Sequence, residues 1–147
     1  MDQLEITIKQ EDSDGEAMFV SVQINGKDMP GILNVGAFFS IKKNHERVPL
    51  FTCGCGVFDC GGYYVNVFCT DTVLILRNSY HRFHQTLESE FEYQLDWQQV
   101  RSIAEEILTY LEKLHERNPG AFITTGYFQD NLIDHLTDYR QSFLIQT

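Results

Sequence analysis

The chain has 147 residues, 43% of them apolar and 22% charged, the proportions of a folded globular domain; they argue against a disordered chain, a collagen-like repeat and a disulfide mini-protein. Acidic residues outnumber basic ones 21 to 11, giving a net charge of −10 and a pI near 4.8. A surface of that sign repels phosphate backbones, so nucleic acid is not an expected partner.

One domain spanning 1–147 is expected from the length, and it is large enough to need no covalent staple. The apolar runs are all too short to cross a bilayer, so no membrane association is expected. Met1-Asp2-Gln3-Leu4-Glu5 has neither the basic nor the apolar region of a signal peptide, which makes the cytosol the expected compartment. There the four cysteines, Cys53, Cys55, Cys60 and Cys69, are expected as thiols or metal ligands rather than disulfides.

Leu4, Ile6 and Ile8 alternate with polar residues and predict a half-buried strand. The acidic stretch 11–16 contains an Asp-Gly pair suited to a hairpin turn. A second strand is expected from Met18 to Ile24, with Val20, Val22 and Ile24 on one face, and Asn25-Gly26 ends it in a tight turn. Ala37–Lys42 and Val48–Thr52 are two further short strand candidates. Tyr63–Cys69 and Thr72–Leu76, rich in β-branched and aromatic residues, flank a Thr70-Asp71 turn. The second of these runs alternates little, which suggests a central strand covered on both faces. Phe91–Leu95 reads as one more strand.

The period then changes from 2 to 3.6. Asp96 is a helix N-cap with Gln99 at the capping-box position. Trp97, Val100, Ile103, Ala104, Ile107, Leu108, Leu111 and Leu114 form one apolar stripe. Asn118-Pro119-Gly120 stops the helix. A second, shorter helix is expected from about Tyr127 to Phe143, with Phe128, Leu132, Leu136, Tyr139 and Phe143 inward. Strands first and helices last predict an α+β fold. In it, a mostly antiparallel sheet from the N-terminal two-thirds carries one long and one shorter C-terminal helix.

The chemistry-bearing stretch is Cys53-Gly54-Cys55-Gly56-Val57-Phe58-Asp59-Cys60-Gly61-Gly62. Its glycines let a backbone turn tightly enough to bring thiolates together. Zinc requires four such ligands in a tetrahedron. Cys53, Cys55 and Cys60 supply three, with Cys69, His81 or His84 as fourth. The competing and preferred reading is a glycine-rich hairpin loop whose cysteines pack as small apolar residues. A catalytic cysteine needs an imidazole base beside it, and the five histidines fall in no nucleophile signature. His81 and His84 read as loop histidines, and Glu88, Glu90 and Glu92 as a solvated strand face. The chain contains no phosphate-binding G-x-x-x-x-G-K-[ST], no dinucleotide G-x-G-x-x-G and no H-E-x-x-H. No catalytic residue and no resident cofactor is therefore expected, zinc being the one alternative.

Charge is unevenly spread. Residues 88–147 hold 11 acidic against four basic side chains, and residues 1–87 hold ten against seven. On a helix, Asp130, Asp134 and Asp138 recur at i,i+4 as one ridge. With Tyr127 as aromatic anchor, that ridge is the candidate surface for a basic partner, against the simpler reading of a solvated face.

Leu50-Phe51-Thr52-Cys53-Gly54-Cys55-Gly56 through Cys60-Gly61-Gly62, followed by Tyr64-Val65-Asn66-Val67, resembles a pattern in small bacterial proteins in which a C-x-C-G-x-x-x-C-x-G loop joins two strands. The match covers about a fifth of the chain. The whole chain also resembles small acidic immunity proteins of Gram-positive bacteria, encoded beside LXG-type polymorphic toxins. That resemblance implies a non-enzymatic cytosolic antidote that binds the toxin's C-terminal domain, often a basic nuclease, and blocks it. It brings no defining motif, so no residue role is carried over from it. The alternative function is a zinc-stabilised regulatory or scaffold domain built on Cys53, Cys55 and Cys60; a hydrolase using Cys53 or Cys60 is the third.

Overall fold

The computed structural model describes residues 1–11, 17–29, 31–52, 63–78, 91–117, 122–124 and 129–146. The cysteine stretch, Tyr127, Phe128, His81 and His84 lie outside them.

Two strands, β1 (Leu4–Glu11) and β2 (Ala17–Ile24), pair antiparallel with Leu4 opposite Ile24, Ile6 opposite Val22 and Ile8 opposite Val20. Every inward residue therefore faces another inward residue, as the alternation requires. The turn after β2 places Asn25 at φ 56° and Gly26 at φ 80°, the double positive φ of a type I′ turn, and leads into β3 (Lys27–Asp28), which pairs back on β2.

A second sheet begins with β4 (Ile32–Leu33) and continues through β5 (His45–Thr52), β6 (Tyr63–Cys69), β7 (Val73–Asn78) and β8 (Glu92–Asp96), antiparallel throughout and in chain order. As expected, β7 is central, but only Leu74 and Leu76 are buried while Val73 and Ile75 on the other face are half-covered. Ile75 stands opposite Phe68, and the Arg77 guanidinium lies 5.0 Å over the Phe68 ring. The guanidinium thus covers part of that face.

The segment Ala37–Lys42, expected as a strand, is not one. Val35–Phe39 forms a short helix, α1. The Asn34 side-chain oxygen accepts from the Ala37 N–H at 3.2 Å, and its amide donates to Pro49 O at 3.1 Å. The N-cap thereby fixes the turn. Val35, Phe38 and Phe39 are the residues it buries, a helical spacing that outweighs the apparent alternation.

The long helix, α2 (Trp97–Arg117), matches the expected stripe residue for residue. Asp96 caps it, accepting from the Gln98 N–H at 2.8 Å. Gln99 does not complete a capping box. Its side chain instead reaches β1, donating to Leu4 O at 3.0 Å and accepting from the Leu4 N–H at 3.4 Å. The clamp satisfies the outer edge of a strand that would otherwise expose unpaired backbone groups.

The expected second helix is divided. Residues 129–131 form a strand, β10 (Gln129–Asn131), antiparallel to β9 (Phe122–Thr124), and β9 runs parallel to β2. Only then come α3 (Leu132–Arg140) and α4 (Phe143–Gln146). Buried Ser142 separates the two helices. Its hydroxyl donates to Phe39 O at 2.7 Å and accepts from the Leu144 N–H at 3.2 Å. A hydroxyl used in this way competes with helix continuation.

The fold is thus α+β, with two sheets where one was expected. Asp2 links them: it forms a parallel bridge to Leu95, and its N–H donates to Gln94 O at 3.0 Å. Leu4, Val22, Leu33, Phe38, Phe51, Leu74, Leu95, Val100 and Ile103, drawn from both sheets, α1 and α2, meet round a cavity of only about 30 Å³. Among the described residues, no helix is long and apolar enough to cross a membrane.

Candidate functional site

A groove of about 610 Å³ lies where the start of α2 meets the turn between β6 and β7. That volume is in the range of small-molecule sites. The turn forms because the Thr70 N–H donates to Val73 O at 2.8 Å while Thr70 Oγ1 accepts from the Thr72 and Val73 N–H groups at 3.3 and 3.0 Å. The turn is then tied to the helix, since the Trp97 N–H donates to Thr72 O at 3.0 Å. Both walls are held by backbone hydrogen bonds.

Trp97, Phe143 and Cys69 supply the apolar part of the lining; Lys43, Arg101, Asp71 and Asp96 supply charge. The Trp97 and Phe143 rings lie 5.5 Å apart, inclined at 50°. Asp96 is engaged by the helix cap. Arg101 stands one helical turn after Trp97, so the two flank each other on α2. Its Nε is buried and meets no hydrogen-bond acceptor among the described residues. Buried donors are seldom left in that condition. Neither Arg101 nor Lys43 has a carboxylate partner among those residues.

Cys69 is a buried free thiol. Burial pushes its pKa above the ordinary thiol value, an effect that nearby Lys43 opposes only in part. Burial thus disfavours its thiolate, the form a nucleophile requires. Cys69 ends β6, and the expected co-ligands Cys53, Cys55 and Cys60 lie outside the described residues. Among the described residues, no group of three His, Cys, Asp or Glu side chains converges as a metal set would.

No family model, curated protein or solved structure matches the chain.

The expected ridge of three aspartates is also corrected. Asp130 belongs to β10, whereas Asp134 and Asp138 belong to α3, so one helix does not carry all three. Asp138 is exposed. Beside it, Arg140 Nε donates to Glu112 Oε1 at 2.8 Å, joining α3 to α2. The outer face of α2 exposes Glu105, Glu106 and Glu116, with exposed cations entering only at Lys113 and Arg117. Glu105 and Glu106 lie off the buried stripe of α2. The groove was not legible in the sequence, because its lining comes from four distant segments.

Proposed function

We propose that the protein is a cytosolic, non-enzymatic immunity protein that binds a basic bacterial toxin and neutralises it by occupying it. The observation that carries this reading is the solvent-exposed acidic face of the helical layer, with Glu105, Glu106 and Glu116 on α2 and Asp138 on α3. Three supports stand beside it. The net charge is −10, which attracts a basic partner and accelerates encounter. That face belongs to a helix whose opposite side is fixed in the core by Val100, Ala104, Ile107 and Leu111, so its backbone is presented already ordered and only the side chains lose freedom on binding. The third is the likeness of the whole chain to small acidic immunity proteins.

The test is complex formation between this protein and the purified C-terminal domain of a toxin encoded beside it. A stoichiometric complex is expected, with an association rate that falls as salt rises. The double substitution Glu105→Lys/Glu106→Lys should slow association by about tenfold or more. No complex with the wild-type protein overturns the reading; a complex indifferent to the double substitution moves the contact surface away from α2.

A further inference from the structure

We propose that the groove between the β6–β7 turn and the start of α2 binds a small organic anion, a carboxylate or phosphate group carried on an apolar body. The site does not depend on the proposed toxin-binding face, which lies on the outer side of α2.

The charge of the ligand follows from Arg101. Arg101 lines the groove and has no carboxylate partner among the described residues, and a guanidinium matches a carboxylate or phosphate with paired, charge-assisted hydrogen bonds. Lys43 lines the same groove and adds a second, more flexible cation. The helix terminus is not what recognises the ligand, because its first amides are already used: Trp97 N–H by Thr72 O and Gln98 N–H by Asp96 Oδ1. Asp71 and Asp96 also line the groove, both exposed, and together their charges favour a ligand with one acidic group over one with several.

The shape of the ligand follows from Trp97 and Phe143. Their inclined rings form an apolar wall suited to an aromatic or branched aliphatic body. The volume of about 610 Å³ accepts a ligand well above the size of a bare inorganic ion.

Trp97 is the sole tryptophan of the chain and lines the groove, so its fluorescence reports occupancy directly. Phenyl phosphate and benzoate are the probes, with inorganic phosphate as the size control. Saturable change in Trp97 emission is expected for both organic anions, with dissociation constants in the range reached by fragments of that size and weaker binding of inorganic phosphate. Arg101→Met should weaken both organic anions by about tenfold or more. Lys43→Gln, at an exposed position, should weaken them less; it decides the matter if Arg101→Met does not fold. Three results overturn the assignment: no saturable change with either organic anion, equal affinity for inorganic phosphate, or affinities unaltered by the folded variants.

Discussion

Arg101 gives the sharpest prediction, because a binding residue and a structural residue respond oppositely when it is removed. Arg101→Met replaces the guanidinium with a thioether while keeping an unbranched side chain of nearly equal helix propensity. A buried donor without an acceptor costs about 1–3 kcal/mol. Arg101 as a whole is half-buried, which places the expected release at the lower end. Arg101→Met should therefore raise the stability of the ligand-free protein by about 1 kcal/mol, or about 2–4 °C in Tm for a chain of this length. Urea unfolding in phosphate-free buffer measures it, and an unchanged slope with denaturant shows that the same surface is being exposed. Phenyl phosphate at ten times its dissociation constant should then stabilise the wild-type protein by about 1.4 kcal/mol, and Arg101→Met, binding at least tenfold more weakly, by about 0.4 kcal/mol or less. A loss of about 1 kcal/mol or more on substitution would refute the reasoning, since it would mean that the guanidinium holds the fold together.

Gln99→Ala should cost about 1–2 kcal/mol in urea unfolding, because both backbone groups of Leu4 lose their partner on α2; an unchanged midpoint would show that β2 alone secures β1. Leu111→Ala, at a position with 0% exposure, should cost about 2–5 kcal/mol, and a smaller loss would contradict the close packing of α2. The Asp2 carboxylate accepts from Asn25 Nδ2 at 2.8 Å and from the Gln94 N–H at 2.7 Å; these bonds hold its pKa below the ordinary 3.8. A carboxyl with a lower pKa folded than unfolded stabilises the protein above the unfolded value and stops doing so as pH falls through the folded one. The stability difference between wild type and Asp2→Ala should accordingly shrink as pH drops below about 4; a difference independent of pH would show that the charge of Asp2 is not what links the sheets.

The sequence was most informative where local and long-range demands agree. In β1 and β2 the apolar period, the Asn25-Gly26 turn and the cross-strand register all select the same pairing. In α2 the stripe, the Asp96 cap and the burial coincide. It misled where one pattern fits two structures. Ala37, Phe39 and Ile41 alternate as a strand would, yet Val35, Phe38 and Phe39 also share a helix face, and Asn34 decides for the helix through its cap. The strands β9 and β10 have three residues each, too few for any period to register, and β2, the partner of β9, lies about a hundred residues earlier. The groove was illegible for a similar reason, as Lys43, the Thr70–Thr72 turn, the start of α2 and Phe143 meet only after folding. One local signal was available: Arg101 sits a turn after Trp97, beside the apolar stripe rather than opposite it, where a cation needs a reason to stay.

On the function proposed above, this protein acts by covering another macromolecule. Bacterial survival tests it most directly, with a toxin encoded beside this gene expressed in the cytosol with and without this protein. Survival should be restored by the wild-type chain and lost with Glu105→Lys/Glu106→Lys at equal abundance. Killing that proceeds undiminished while wild-type protein accumulates in folded form would contradict the claim.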